Sequence, residues 1–407
     1  MVDFSISDEH RAILDALEKF LQQEVYPLEE KHKELLQNPR KLYREDGLHP
    51  PEVEALKKQV RMKSAEAGFY TLFLSKNLGG GGYGPTLAFQ VAEANWRRGP
   101  GILRGEVIGG FPRGPNPMLE ALPKATREKV MPEMLSGEKT VCFCFSEAEA
   151  GSDAWNMRTT AEKRNGKWVI NGQKMWITNG PYADWAFVFA VTNREMQKAH
   201  KGGVSGFFVD TKAPGFKVES IVPFMGFIGS DVALISLEDV EVAPEFVLGK
   251  VDQAFQLGML GIGTGRLSLA GLCTGLAEWA LERSVEYAKQ RVTFGKPIGE
   301  RQAIQWMLAD SAVDIATCKY MALNTAWRIE KGEMALKEIS MAKLYATEML
   351  FRVMDRAIQV HGGMGLTNEM KLEEVFRLAR ALRIPDGSSE IQRRIIAKRL
   401  LGGDTKI

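Results

Sequence analysis

The stretch LRIPDGSSEIQRR, residues 382–394, places one carboxylate, Asp386, on a tight turn in front of an amphipathic helix. Pro385 cannot donate a backbone N–H and biases the residue before it away from helix, whereas Gly387 lets the chain turn at little steric cost. Beyond the turn, apolar side chains recur at helical spacing, at Ile391, Ile395, Ile396 and Leu400. Two interpretations follow. Either Asp386 or Ser388 caps the helix, or Asp386 projects into a cleft as a base.

Upstream of this turn, the apolar periodicity changes twice along the chain. From about residue 253 onward it is helical, with long amphipathic faces that are typical of a bundle. Residues 139 to about 245 alternate with a period of two, and the dipeptides Asn165-Gly166 and Asn171-Gly172 each predict a hairpin turn. Residues 6 to about 136 are mostly helical again.

These changes in periodicity predict an α+β chain of three domains. We expect an N-terminal helical domain at 1–137, a middle antiparallel β-barrel or sandwich at 138–250, and a C-terminal four-helix-bundle-like domain at 251–407. A chain of 407 residues is long enough for two or three such cores.

The composition excludes several classes of protein. A formal net charge of +2 gives no reason to expect nucleic acid or an acidic membrane as partner, and no apolar run reaches the ~18 residues of a membrane span. Four cysteines in a chain of this size do not predict a disulfide framework, so we expect a cytoplasmic protein in a reducing compartment. The pair Cys142 and Cys144 lacks nearby further ligands, so no metal is expected.

Four segments in fixed order carry a more specific pattern. They are FCFSEAEAGSD at 143–153, NGQKMWITNG at 171–180, RVTFGKPI at 291–298 followed by QAI at 302–304, and QVHGGMG at 359–365 leading into the Asp386 turn. Each segment alone is a weak signal. Together, and with helix–strand–helix texture around them, they resemble the acyl-CoA dehydrogenase family along nearly the whole chain.

The resemblance implies an FAD-dependent enzyme of fatty acid metabolism that oxidises an acyl-CoA thioester to the trans-2-enoyl-CoA and passes electrons to an electron-transferring flavoprotein. A flavin ring needs donors near N1 and N5, which Ser146 and Thr178 would supply. Trp176 would pack on the ring, and Arg291 would bind the pyrophosphate beside Gly362 and Gly363. Further implied cofactor-binding residues are Phe143, Phe145, Gly151, Ser152, Ile177, Phe294, Gln302, Gln359, Ser388 and Glu390.

By the same resemblance, Ser152 and Arg266 contact the acyl-CoA, and Asp386 takes the place of the catalytic base. The family normally has Glu there, in a Tyr-Glu-Gly-Thr tract. Asp is one methylene shorter, and burial would raise its pKa towards a useful value. The aromatic-acid pair that the family carries upstream of Arg266 is absent, so recognition of the thioester can differ. A homotetramer, a dimer of dimers, is also implied, in which residues such as Arg291 reach a neighbour's FAD.

Alternatives remain open at this stage. Trp176 could be an ordinary strand aromatic and Arg291 a solvated charge at a helix end. An Asp at the base position also resembles nitroalkane oxidases, so a flavin oxidase acting on acyl-CoA or a nitroalkane is the second hypothesis. A third is a non-catalytic, DNA-binding flavoprotein, for which the basic residues are Arg393, Arg394, Lys398 and Arg399.

Overall fold

The computed structural model describes residues 6–225 and 229–406. The α-helices of this part of the chain are α1 (Asp8–Phe20), α2 (Tyr26–Lys31), α3 (Lys33–Leu36), α4 (Pro39–Leu42), α5 (Pro51–Glu66), α6 (Pro85–Trp96), α7 (Lys124–Leu135), α8 (Arg194–Lys198), α9 (Phe255–Thr264), α10 (Arg266–Gln290), α11 (Gln302–Glu330), α12 (Leu336–His361), α13 (Leu372–Leu382) and α14 (Ser389–Leu401). The strands are β1 (Val141–Cys144), β2 (Thr160–Arg164), β3 (Lys167–Thr178), β4 (Trp185–Val191), β5 (Val204–Asp210), β6 (Phe216–Ile221), β7 (Val232–Val242), β8 (Val247–Leu248), β9 (Val292–Thr293) and β10 (Lys296–Pro297).

The chain divides into two compact units, each assembled from separate segments. The helical unit comprises Met1–Gln22, Tyr83–Arg104 and Gly265–Ile407, and the sheet unit comprises Gln23–Gly82 and Gly105–Thr264. The α+β class predicted from sequence is confirmed. The division into three domains at 137 and 250 stays a prediction.

In the helical unit, α10, α11 and α12 surround an apolar core that α6 completes, with Phe89 of α6 fully buried in it. Glycines on α10 bring α6 close. A Cβ at Gly271 would lie 2.4 Å from the carbonyl oxygen of Phe89, and one at Gly275 would lie 2.3 Å from that of Glu93. Side chains at those two positions would push α6 away from α10. The predicted C-terminal bundle therefore includes a helix from the first hundred residues.

In the described part of the sheet unit, eight strands form one sheet in the order β6-β7-β3-β2-β4-β5-β8, with β1 beside β4. Most ladders are antiparallel, as the alternating pattern predicted, but β1 and β2 each pair with β4 in parallel. One face packs on a core that includes Phe187 and Phe208, and the other on a core that includes Ile235 and Phe207. Among the described residues, no helix is both long and apolar enough for a membrane crossing.

The two predicted hairpin turns have different outcomes. Asn165 and Gly166, both with positive φ, join β2 to β3 as predicted. The prediction for Asn171 and Gly172 is wrong, because both lie inside the continuous strand β3, where the pairing with β7 is irregular. Gly172 has φ +152°, and a Cβ there would lie 2.5 Å from the hydroxyl of Thr159. The glycine permits a close approach within the sheet and not a turn.

Candidate active site

The Asp386 turn joins the end of α13 to the start of α14. Asp386 has φ +56° and Gly387 has φ +89°, so two successive residues are left-handed, which Asp and Gly tolerate best. Ser388 caps α14, because its hydroxyl oxygen accepts the backbone N–H of Ile391 at 3.4 Å. The capping interpretation therefore applies to Ser388, and the carboxylate of Asp386 is not needed for it.

Two buried side chains hold the backbone of this turn. Arg266 donates from Nε and Nη2 to the carbonyl oxygen of Asp386, at 3.2 and 3.0 Å. Gln392 donates from Nε2 to the carbonyl oxygens of Asp386 and Gly387, each at 3.0 Å. The structure gives the guanidinium of Arg266 a partner on the turn, and the contact of Arg266 with acyl-CoA stays a prediction.

A third donor, Lys343 on α12, was not predicted from the sequence. Its Nζ donates to the carbonyl oxygens of Leu382, at 3.1 Å, and Gly387, at 3.0 Å, and the residue has no exposed surface. The available signal was a lysine between Ala342 and Ala346, two residues that were predicted to face the core of the bundle. Such a lysine has to find partners inside the protein.

Burial shifts the ionisation of these groups. Burial raises the pKa of Asp386, and the charges of Lys343 and Arg266 oppose that rise without cancelling it. Burial lowers the pKa of Lys343 to about 8, against the opposing effect of the Asp386 carboxylate. A carboxylate with a raised pKa, held on a strained turn, is suited to proton abstraction near neutral pH.

In the sheet unit, the residues predicted to hold a flavin ring come together at the end of β3. The N–H of Met175 donates to the carbonyl oxygen of Ser146 at 2.9 Å, so Ser146 lies beside the last residues of the strand that carries Trp176 and Thr178. Trp176 is half exposed and has φ +64°, at an irregularity between Lys174 and Ile177. A left-handed conformation is an outlier for a bulky residue, and the packing of Trp176 on a flavin ring stays a prediction.

A buried ion pair links β3 to the segment that follows β1. Nζ of Lys174 lies 2.7 Å from Oε1 of Glu147 and also donates to the carbonyl oxygen of Phe145 at 3.3 Å. Glu147 accepts the N–H groups of Arg158 and Thr159 as well. Burial raises the pKa of Glu147, but Lys174 and the other donors outweigh it and leave the pKa below its ordinary value. Sequence analysis missed this pair, although both residues stand within the quoted segments.

The other residues of the sheet unit that were predicted to bind the cofactor lie in the same two quoted segments. Phe143 and Phe145 stack with ring centroids 5.6 Å apart, and Ile177 is buried. Gly151 and Ser152 lie exposed on the loop after β1. The hydroxyls of Ser146 and Thr178 have no hydrogen-bond partner within residues 6–225 and 229–406, so both can bind a ligand.

In the helical unit, a second group of predicted residues meets where α10 and α12 end and α11 begins. A small core of Ala288, Ile298 and Val360 joins these helix ends, and the rings of Tyr287 and His361 lie 4.5 Å apart. The predicted residues around this core are all exposed: Arg291, Phe294, Gln302, Gln359, Gly362 and Gly363. Phe294 is 97% exposed.

Each of the two groups, taken by itself, fits one part of FAD. The sheet unit offers free hydroxyls and a flat aromatic side chain for a flavin ring. The helical unit offers a guanidinium at Arg291 and open space at Gly362 and Gly363, where a Cβ would meet nothing within 4 Å. Glu390 is exposed on α14, and Ser388 is already engaged as its cap. The described residues contain no group of His, Cys, Asp or Glu that could hold a metal ion.

Comparison with known proteins agrees with this geometry. Residues 142–240 match the middle domain, and residues 255–401 the C-terminal domain, of the acyl-CoA dehydrogenase family model. The chain is 34% identical to the mitochondrial short-chain specific acyl-CoA dehydrogenase of Homo sapiens, over 92% of this chain and 91% of that protein. It is also 34% identical to a subunit of the caffeyl-CoA reductase–Etf complex of Acetobacterium woodii, over 84% and 89%. An acyl-CoA dehydrogenase structure from Geobacillus kaustophilus superposes with a TM-score of 0.82 at 26% identity, covering 98% of this chain and all of that one.

Proposed function

Because the chain belongs to the acyl-CoA dehydrogenase family, we propose that it converts an acyl-CoA thioester to the trans-2-enoyl-CoA, with Asp386 as the base. The protein is an FAD-dependent oxidoreductase acting on acyl-CoA. The observation that supports this base is the Asp386 carboxylate itself. It lies on a left-handed turn, is not used as a helix cap, and has a raised pKa.

The chemistry follows from where charge develops. A thioester carbonyl acidifies the proton on the adjacent α-carbon, and the Asp386 carboxylate removes that proton and holds it on its own oxygen. FAD, when bound, accepts the hydride that leaves the β-carbon. Arg266, Gln392 and Lys343 bind only backbone carbonyl oxygens of the turn, so they orient the carboxylate without occupying its oxygens.

Residues of this chain would hold FAD in two ways. Ser146 and Thr178 would donate to the flavin ring, and Trp176 would cover it. Arg291 and the glycine pair Gly362-Gly363 would bind the pyrophosphate of an FAD in a neighbouring subunit. The exposure of this second set in the single chain supports that arrangement.

We propose a homotetramer, built as a dimer of dimers. Beside the exposed FAD-binding set, α11 presents large apolar side chains at seven-residue spacing: Trp306, Val313 and Tyr320, exposed by 61%, 66% and 57%. An apolar stripe of this kind on a long helix is typical of a helix–helix interface. The proposed electron acceptor is an electron-transferring flavoprotein, supported by the relative that works in an Etf complex.

The test is anaerobic flavin reduction. FAD-loaded protein is mixed with a panel of acyl-CoA thioesters, and the loss of flavin absorbance is followed. We expect at least one thioester to bleach the flavin, and Asp386→Asn to slow bleaching by about 10²–10⁴-fold while keeping FAD. Rapid bleaching of Asp386→Asn would place the base elsewhere. Fast reoxidation of the reduced enzyme by oxygen would identify the oxidase alternative.

A further inference from the structure

We propose that Lys343 is a positioning residue for this reaction, which fixes both ends of the Asp386 turn and provides a positive charge beside its carboxylate. The inference rests on the proposed role of Asp386 as the base. It extends that role to a residue on a different helix, 43 positions earlier in the chain.

The Lys343 ammonium group holds the turn at two points. Its hydrogen bonds reach the carbonyl oxygens of Leu382, the last residue of α13, and Gly387, next to Asp386. One side chain therefore bridges the turn, with Asp386 enclosed between the two points of attachment. An apolar side chain of similar length would leave both carbonyl oxygens without this donor in a buried place.

The positive charge of Lys343 also acts on the carboxylate of Asp386. The charged or titratable groups that act on it are Asp386, Arg266, Cys273 and Glu348. Of these, Cys273 is a buried thiol whose pKa burial raises, and Glu348 is paired with Arg383 at 3.1 Å. The ammonium of Lys343 itself is bonded to carbonyl oxygens and not to a carboxylate. Its charge lowers the pKa of Asp386, against the larger effect of burial.

The same helix provides a matched control. Lys337, two turns earlier on α12, is also almost fully buried, at 1% exposure. Its Nζ donates to the carboxylate and carbonyl oxygen of Asp404 and to the carbonyl oxygen of Lys406. Lys337 thus fixes the C-terminal residues as Lys343 fixes the turn, but Lys337 is not among the groups whose charge acts on Asp386.

The experiment measures the rate of anaerobic flavin reduction against pH in FAD-loaded enzyme, with the best thioester of the panel. In Lys343→Met, we expect the acidic limb of the pH–rate profile to move up by about one pH unit or more. The reason is that the positive charge that lowers the pKa of Asp386 is gone. The limiting rate should fall by about tenfold or more, with a smaller change in KM. Lys337→Met should leave the limb in place. Gln392→Met, which removes a neutral donor to the turn, should lower the limiting rate without moving the limb.

An acidic limb that stays in place in Lys343→Met, or moves equally in Lys337→Met, would overturn the inference. Should Lys343→Met fail to fold or to hold FAD, Lys343→Arg provides the test. It keeps the charge but not the geometry, so its rate should fall with the limb unchanged, and a shifted limb would contradict the inference. Asp386→Asn separates the two proposals. If it reduces flavin rapidly, the proposed base is wrong; if it is inactive while Lys343→Met has an unshifted limb, only the role of Lys343 is wrong.

Discussion

Arg266 binds the backbone carbonyl oxygen of Asp386 with two guanidinium nitrogens, at 3.2 and 3.0 Å, across 120 residues of chain. The two residues carry opposite charges, yet the bond runs to the peptide group and not to the carboxylate. Burial lowers the pKa of Arg266, with the Asp386 charge acting in the opposite direction. This contact therefore restrains the conformation of Asp386, the proposed base, and leaves its carboxylate oxygens available.

Replacing Arg266 should separate positioning from substrate binding. Arg266→Met removes the donor fork while Gln392 still donates to the same carbonyl oxygen. We expect kcat for flavin reduction to fall by about tenfold or more and stability to fall by ~1.5–3 kcal/mol, the contribution of hydrogen bonds from a charged donor. Stopped-flow kinetics and urea denaturation measure both effects. Arg266→Lys keeps the charge but not the two-nitrogen geometry, so its kcat and stability should lie between those of the parent and of Arg266→Met. A rise in KM with kcat unchanged would instead support the predicted contact to acyl-CoA.

The pH dependence of flavin reduction should reflect the raised pKa of Asp386. The base must be ionised, so the rate should fall as pH decreases through that pKa, with a midpoint above the ordinary value of 3.8. A folded pKa above the unfolded one also means that ionisation of Asp386 lowers stability as pH rises through it. Asp386→Asn should therefore be more stable than the parent at pH 7, with the difference shrinking in acid. Chemical denaturation at both pH values checks the sign, and a less stable amide variant at pH 7 would contradict it.

The ion pair beside the residues proposed to bind the flavin ring should be costly to break. Lys174→Met leaves the buried carboxylate of Glu147 without its cation, and we expect a loss of ~3–5 kcal/mol in the free energy of unfolding, together with reduced FAD content. The control is Lys167→Met on the same strand, whose partner Glu241 is exposed, and it should change stability by less than ~1 kcal/mol. Equal losses in the two variants would show that Lys174 has no special role.

Loss of the guanidinium at Arg291 should weaken FAD binding without unfolding the chain. Arg291 is exposed at the end of α10, so Arg291→Ala removes no buried contact, and we expect at least a tenfold rise in the FAD dissociation constant. Fluorescence of released FAD and circular dichroism measure binding and folding. Arg380→Ala, an exposed arginine on α13, is the control. A monomer that holds FAD tightly, by light scattering, would exclude a cofactor site shared between subunits.

Local signals in the sequence predicted the kinds of elements and the turn that carries Asp386, the proposed base. Periodicity distinguished the helical segments from the segment of strands, and Asn165-Gly166 was identified correctly as a hairpin. The pair Asn171-Gly172 has the same composition but lies within a strand, because its glycine permits a close contact with Thr159. The dipeptide alone does not distinguish these two uses of glycine.

Contacts between distant segments could not be predicted in this way. Lys343 and Gln392 meet at the Asp386 turn from two different helices, and nothing in the residues around Lys343 names carbonyl oxygens 39 and 44 positions away as its partners. The carboxylate of Glu147 and the ammonium group of Lys174 likewise come together only when the strands pair. Sequence reasoning thus identified candidate reacting groups better than the residues that hold them.

The close approach of α6 to Gly271 and Gly275 has a consequence for how the protein is made. Phe89 emerges from the ribosome long before α10 exists, so the core that receives it cannot form until synthesis has passed residue 290. Until then α6 has an apolar side without its partner, which is the kind of surface that chaperones recognise. α6 therefore packs into its core only after α10 has been made, and we expect folding of the helical unit to be limited by this long loop closure rather than by the helices themselves.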